Sequence, residues 1–130
     1  MLSKESYIIN LDLSYLERRL TDRLKWSPRD AKEAVRRYKN FLLLLLKYPK
    51  ETLAPAPDMD EAWHNHILFT REYIRDTSEI FGEYLHHTPS QNSGPEEKLV
   101  MEGAQSRTSE LYIQEFTEPY SLELDVASFW

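Results

Sequence analysis

Between Ser27 and Pro49 the chain reads SPRDAKEAVRRYKNFLLLLLKYP, and this segment limits the fold more than any other. Ala31, Ala34, Val35, Tyr38, Phe41, Leu42 and Leu45 recur at helical spacing. Leu43, Leu44 and Leu46 fall off that stripe, so the C-terminal half of the helix is apolar nearly all round and belongs in the middle of a helical assembly. Ser27 as cap, Pro28 in the first turn and Asp30 three residues after the cap give the helix a start, and Pro49 gives it a stop near Tyr48. The run Phe41 to Leu46 is six residues, where a membrane span needs about 20, so the sequence predicts no membrane segment.

Three further helices are predicted by the same period. One starts near Asp12, after a short apolar arm at Tyr7 to Ile9, and carries Leu13, Leu16, Leu20 and Leu24 over 12–25. Another, over 59–81, is capped by Asp58 and carries Met59, Trp63, Ile67, Thr70, Ile74, Thr77 and Phe81 until Gly82 permits a stop or a turn. The last covers 96–116, interrupted by Gly103, before an alternating tail, SLELDV, that suits an extended arm. The expected fold is all-α, a compact bundle of four main helices with a short extended C-terminal arm, in one domain over residues 1–130. Leu20, Phe41, Leu45, Trp63, Ile67, Ile74 and Phe81 are the expected core.

The chain has no cysteine, which removes thiolate metal sites, disulfides and cysteine nucleophiles. A net charge of −6 argues against a nucleic-acid binder. The N-terminus lacks an apolar signal region, and a cytoplasmic location is expected. Isolated glycines and the lack of a G-x-S-x-G elbow leave no nucleotide loop or serine hydrolase frame.

Function is therefore sought among the four histidines, in DMDEAWHNHILFTREY (58–73) and at His86-His87. On one helix His64 and His66 point about 160° apart and cannot share an ion. Asp60 and His64, one turn apart, can chelate a metal together, or the carboxylate can orient the imidazole. His66 groups with Thr70 and Tyr73. His86 and His87 reach the start of this helix only if the chain folds back after Gly82.

Each residue also has a plain structural role open to it. Asp60 suits a helix N-terminus, Trp63 a core, and His66 a hydrogen-bonded interior position. His86 and His87 suit a loop.

The segment PDMDEAWHNHILFTREY followed by FGEYLHHTP resembles a bacterial family related to plant glycine-rich-domain-containing proteins, and the resemblance extends upstream through RRYKNFLLLLLKYP and more weakly downstream to TSELYIQEFTEPY, over most of residues 28–120. The resemblance implies a helical fold and a grouping of these histidines, without a reaction; a glycine-rich extension is lacking.

Two classes of function follow. In one, Asp60, His64 and His86 or His87 hold a divalent transition metal (zinc, iron or copper) with Trp63, His66, Thr70 and Tyr73 as the surrounding wall, and the metal-dependent reaction is left open. In the other, the histidines are structural and the chain is a non-enzymatic interaction module. It would then bind a protein or small-molecule partner through the Phe41 to Tyr48 segment or the aromatic C-terminal arm.

Overall fold

The computed structural model describes residues 3–88 and 94–122. Among them are six helices and no strand: α1 (Lys4–Asn10), α2 (Ser14–Asp22), α3 (Pro28–Lys47), α4 (Pro57–Leu68), α5 (Thr70–Phe81) and α6 (Pro95–Phe116). The all-α expectation holds, with six helices in place of four main ones. α3 lies at the centre and packs on α1, α2, α4 and α6, while α5 packs on α1 and α4.

The start of α3 follows the sequence closely. The Ser27 hydroxyl accepts the Asp30 amide, and Pro28 occupies the first turn. Phe41, Leu42 and Leu44 are buried, and Leu43, Leu45 and Leu46 are partly buried against the same core. Most of the Phe41 to Tyr48 segment is thus covered by the protein's own helices, with Leu43, Leu45, Leu46 and Tyr48 partly exposed.

Four expectations need correction. The apolar arm at Tyr7 to Ile9 is helical: Ser3 caps α1, Ile8 is buried, and Asp12 accepts the Ser14 amide where α2 begins. The single helix expected over 59–81 breaks at Phe69, whose amide bonds back to the His66 carbonyl while its own carbonyl receives the Tyr73 amide. No glycine or proline marks this break; the Phe69 ring lies edge-on to Tyr15 of α2, 4.7 Å between centroids. Beyond it the inward face is Tyr73, Asp76, Thr77 and Ile80, so Ile74 is 51% exposed instead of in the core.

Third, Asp58 is not a cap. Pro57 opens α4 after Ala56, which makes no side-chain cap bond, and Asp58 turns into the core to meet Arg37. Gly103 does not interrupt α6, and most of the tail expected to form an extended arm lies outside the described residues.

Arg37 is fully buried on α3, and all five of its N–H groups are bonded. Nε donates to Asp58 Oδ2 at 2.7 Å and Nη2 to Asp58 Oδ1 at 3.4 Å. Nη1 donates to the Pro119 carbonyl at 2.8 Å and to Tyr112 Oη at 3.3 Å, and Nη2 also donates to the Tyr120 carbonyl. Tyr120 in turn donates to the Ala54 carbonyl at 2.6 Å. One guanidinium thus joins α3, α4, α6 and the segment after α6.

Asp58→Ala strands that cation in the core, and urea unfolding should show a loss of about 3–5 kcal/mol, the usual cost of breaking a buried pair from one side. Leu44→Asp should cost about 4 kcal/mol or more, because it places an unpartnered carboxylate in an apolar layer. Native melting behaviour in the Leu44 variant would contradict the buried position.

Candidate functional site

α4 is unbroken across the histidine motif, so its rotation decides where each ring goes. His64 is exposed and His66 is buried. His66 meets Asp76 of α5 through Nε2, 2.9 Å from Oδ2, and Tyr38 of α3 through Nδ1, 2.7 Å from the hydroxyl. Asp76 also accepts the Tyr7 hydroxyl of α1 at 2.8 Å and Arg75 Nε at 2.9 Å. Burial pushes the Asp76 carboxyl up, but the hydrogen bonds from His66, Arg75 and Tyr7 outweigh it and hold the group below its ordinary value. An ionised carboxylate only accepts, so Nε2 carries a proton, and in the neutral ring Nδ1 accepts from Tyr38, whose ionisation burial pushes far up. Four helices meet in this one network.

A second constellation holds the segment after α5. Gly82 ends that helix in the left-handed conformation, φ +76°, and the chain turns back over α4. The Trp63 indole N–H donates to Tyr73 Oη at 2.8 Å, and the Tyr73 hydroxyl donates to the Leu85 carbonyl at 2.5 Å. Burial pushes the Tyr73 hydroxyl up to about 12, so it stays a donor at neutral pH. His87 stacks on Trp63 with centroids 4.0 Å apart and planes within 7°, and its Nε2 lies 2.6 Å from Asp60 Oδ1.

The fold therefore brings Asp60 and His87 together, with Trp63 beneath them and Tyr73 behind. Asp60 is bonded to His87 where the spacing favoured His64. His64 sits exposed one turn further along α4, and His86 is exposed with its ring against Tyr84 at 4.8 Å. Thr70 is exposed on the first turn of α5, while Tyr73 contacts the His66 ring edge-on at 4.9 Å. Among the described residues no group of three or more His, Cys, Asp or Glu is disposed to hold a metal ion. The Asp60–His87 pair supplies two donors of the three or four that a zinc-like ion takes.

Asp76, Tyr38 and Tyr7 escaped the sequence reading. On one continuous helix, ten residues separate His66 from Asp76 by about 15 Å, and the pair looks unrelated. Only the bend at Phe69 joins them. A carboxylate recurring in phase with Tyr73, Thr77 and Ile80 was the available signal.

The family model that matches is described as UCP032817-like and covers residues 4–106, from α1 into α6. The chain belongs to the UCP032817-like family. This corrects the resemblance to glycine-rich-domain-containing proteins, which rested on the WHNHIL and FGEYLHH segments, whereas the matching model takes in the N-terminal helices as well. No curated protein and no solved structure matches the chain.

A carboxyl held below its unfolded value adds stability that is complete above the unfolded pKa, about 3.9, and is lost as pH falls through the folded one. Part of the stability should therefore disappear below about pH 4. Asp76→Asn should lose about 2 kcal/mol or more at neutral pH, since an amide cannot accept from all three donors. Its stability should also vary less with acid, as read by denaturant melts across the acid range. A parallel pH dependence in the two proteins would show that Asp76 is not the group responsible.

Proposed function

We propose that the protein is a binding module whose histidine motif builds the fold and is not a preformed reaction centre. The observation that carries this reading is the use already made of the two inward histidines. His66 has both ring nitrogens bonded inside the core, and His87 has one ring face on Trp63 and Nε2 on Asp60. Together they fasten α3, α4, α5 and the 82–88 segment into one rigid unit, which is the property a binding surface needs.

A second reading, a divalent-metal site, is favoured by the Asp60–His87 contact at a solvent-accessible edge, where the Asp60 side chain is 51% exposed. The third donor would be His64, after a side-chain swing on α4. Zinc held there would supply an acidic water, and iron or copper would supply oxygen chemistry. Without that swing the donor set is one ligand short.

Metal analysis of tag-free protein separates the two readings. The module reading expects far less than one zinc, iron or copper per chain and a melting temperature indifferent to added zinc or chelator. It also expects His87→Ala to cost about 1–2 kcal/mol through the lost Trp63 stack. Stoichiometric metal that disappears in both His64→Ala and His87→Ala would establish the metal site instead.

A further inference from the structure

The outer side of α3 borders a groove of about 640 Å³ shared with α1 and α2. Its apolar wall is Ile9 and Leu43 above the buried Val35, and Arg29, Lys32, Arg36 and Lys39 stand along it. The spacing of these four, three then four then three residues, puts them in one row on the helix. Glu17 and Glu33 also line the groove, Glu33 bonded to Arg36 at 2.6 Å, and with Glu118 on the same Arg36 the balance is one positive charge on a chain whose net charge is −6.

The middle of the row already holds a carboxylate. Glu118 receives Arg36 Nη1 at 3.1 Å and Nη2 at 2.7 Å, with Asn40 Nδ2 at 2.9 Å and the Tyr112 hydroxyl at 2.7 Å. Among the described residues Arg29 and Lys32, both exposed, form no ion pair, and the Lys39 ammonium meets only the Ile9 carbonyl, at 3.4 Å. Burial lowers the Lys39 pKa against the raising effect of Asp12 and Glu17, so this cation gains from a further carboxylate.

We propose that this groove binds an acidic peptide segment of a partner protein, its carboxylates on Arg29, Lys32 and Lys39 and an apolar side chain over Ile9 and Leu43. Glu118 shows the mode of recognition from within the chain. A flexible acidic segment fits better than a folded face, because the cations follow one helix row and the apolar wall runs beside them. The inference rests on the binding-module reading and gives that module its ligand class.

The test uses the full chain and a fluorescein-labelled synthetic peptide of alternating Glu and Leu ending in Phe, followed by anisotropy. Expected are saturable binding that weakens with salt and a loss of about tenfold in affinity for the Arg29→Glu, Lys32→Glu double variant. Lys98→Glu on α6 should bind as the parent does. Both charge reversals are at solvent, so folding should survive; Lys39→Glu gives a second, independent reading. Equal binding by the reversed variants, equal binding of a Gln-for-Glu peptide, no saturable binding, or stronger binding of single-stranded RNA or anionic vesicles would each overturn the proposal. Failure of the peptide in protein that carries no metal removes the groove and leaves the module reading standing. Stoichiometric metal on Asp60, His64 and His87 removes the module reading whatever the peptide does.

Discussion

A single buried cation sets the geometry of this protein. Arg37 is 0% exposed in the middle of α3, where an unpaired charge is intolerable, so the surrounding chain must bring acceptors to all five donors. Asp58 brings the first turn of α4, Tyr112 brings α6, and the carbonyls of Pro119 and Tyr120 bring the turn that follows α6. The Tyr112 ring lies against the guanidinium as well, 5.3 Å from centroid to Cζ. Apolar burial of Phe41, Leu42 and Leu44 gives α3 its place at the centre, and a greasy surface can pack in several rotations. The five-donor fork accepts one.

The His66 network works in the same way at the other side of α4. Tyr7, Tyr38, His66 and Asp76 come from four different helices and bond in a line. Asp76 stays ionised in the interior because three donors converge on it, so removing any one shifts the balance against the charge. The bend at Phe69 is what lets α5 present Asp76 to a ring on α4. The Trp63–Tyr73–Leu85 chain and the His87 stack then hold the returning segment over the same pair of helices. Of the four histidines, His66 and His87 join these elements to one another, while His64 and His86 stay exposed.

Periodicity made α3 legible almost to its ends, because Ser27 and the prolines mark its boundaries and its apolar stripe does not change phase, whereas α6 keeps no such stripe, with Leu99, Val100 and Ile113 exposed. Periodicity also put His64 and His66 on opposite sides of α4, and Gly82 marked the return of the chain that allows His87 to reach Asp60. The parts that were not legible depend on partners distant in sequence. Nothing near Phe69 announces a break, so a stripe continued through Ile74 runs in the wrong phase. Asp58 precedes an apolar-periodic segment and reads as a cap, yet Pro57 already opens the helix and the carboxylate is drawn inward by a cation 21 residues earlier. Arg37 itself shares a helix face with Ala34, Phe41 and Leu44, and a lone charge in such a row was a sign that a counter-charge had to be found elsewhere.

Arg36 and Arg37 are neighbours about 100° apart on α3, and they hold the same turn from two sides. Arg37 takes the backbone carbonyls of Pro119 and Tyr120 inside the core, while Arg36 takes the Glu118 side chain at the surface. Because consecutive residues of one turn are fixed at both points, Glu118 cannot drift along the basic row. Its carboxylate, with that of Glu33, pairs the middle of the row and leaves Arg29 and Lys32 exposed at one end and the partly buried Lys39 at the other. The electrostatic pattern of the outer groove is therefore a consequence of the buried clamp: the fork that fixes the core also decides which cations of the row carry no ion pair among the described residues.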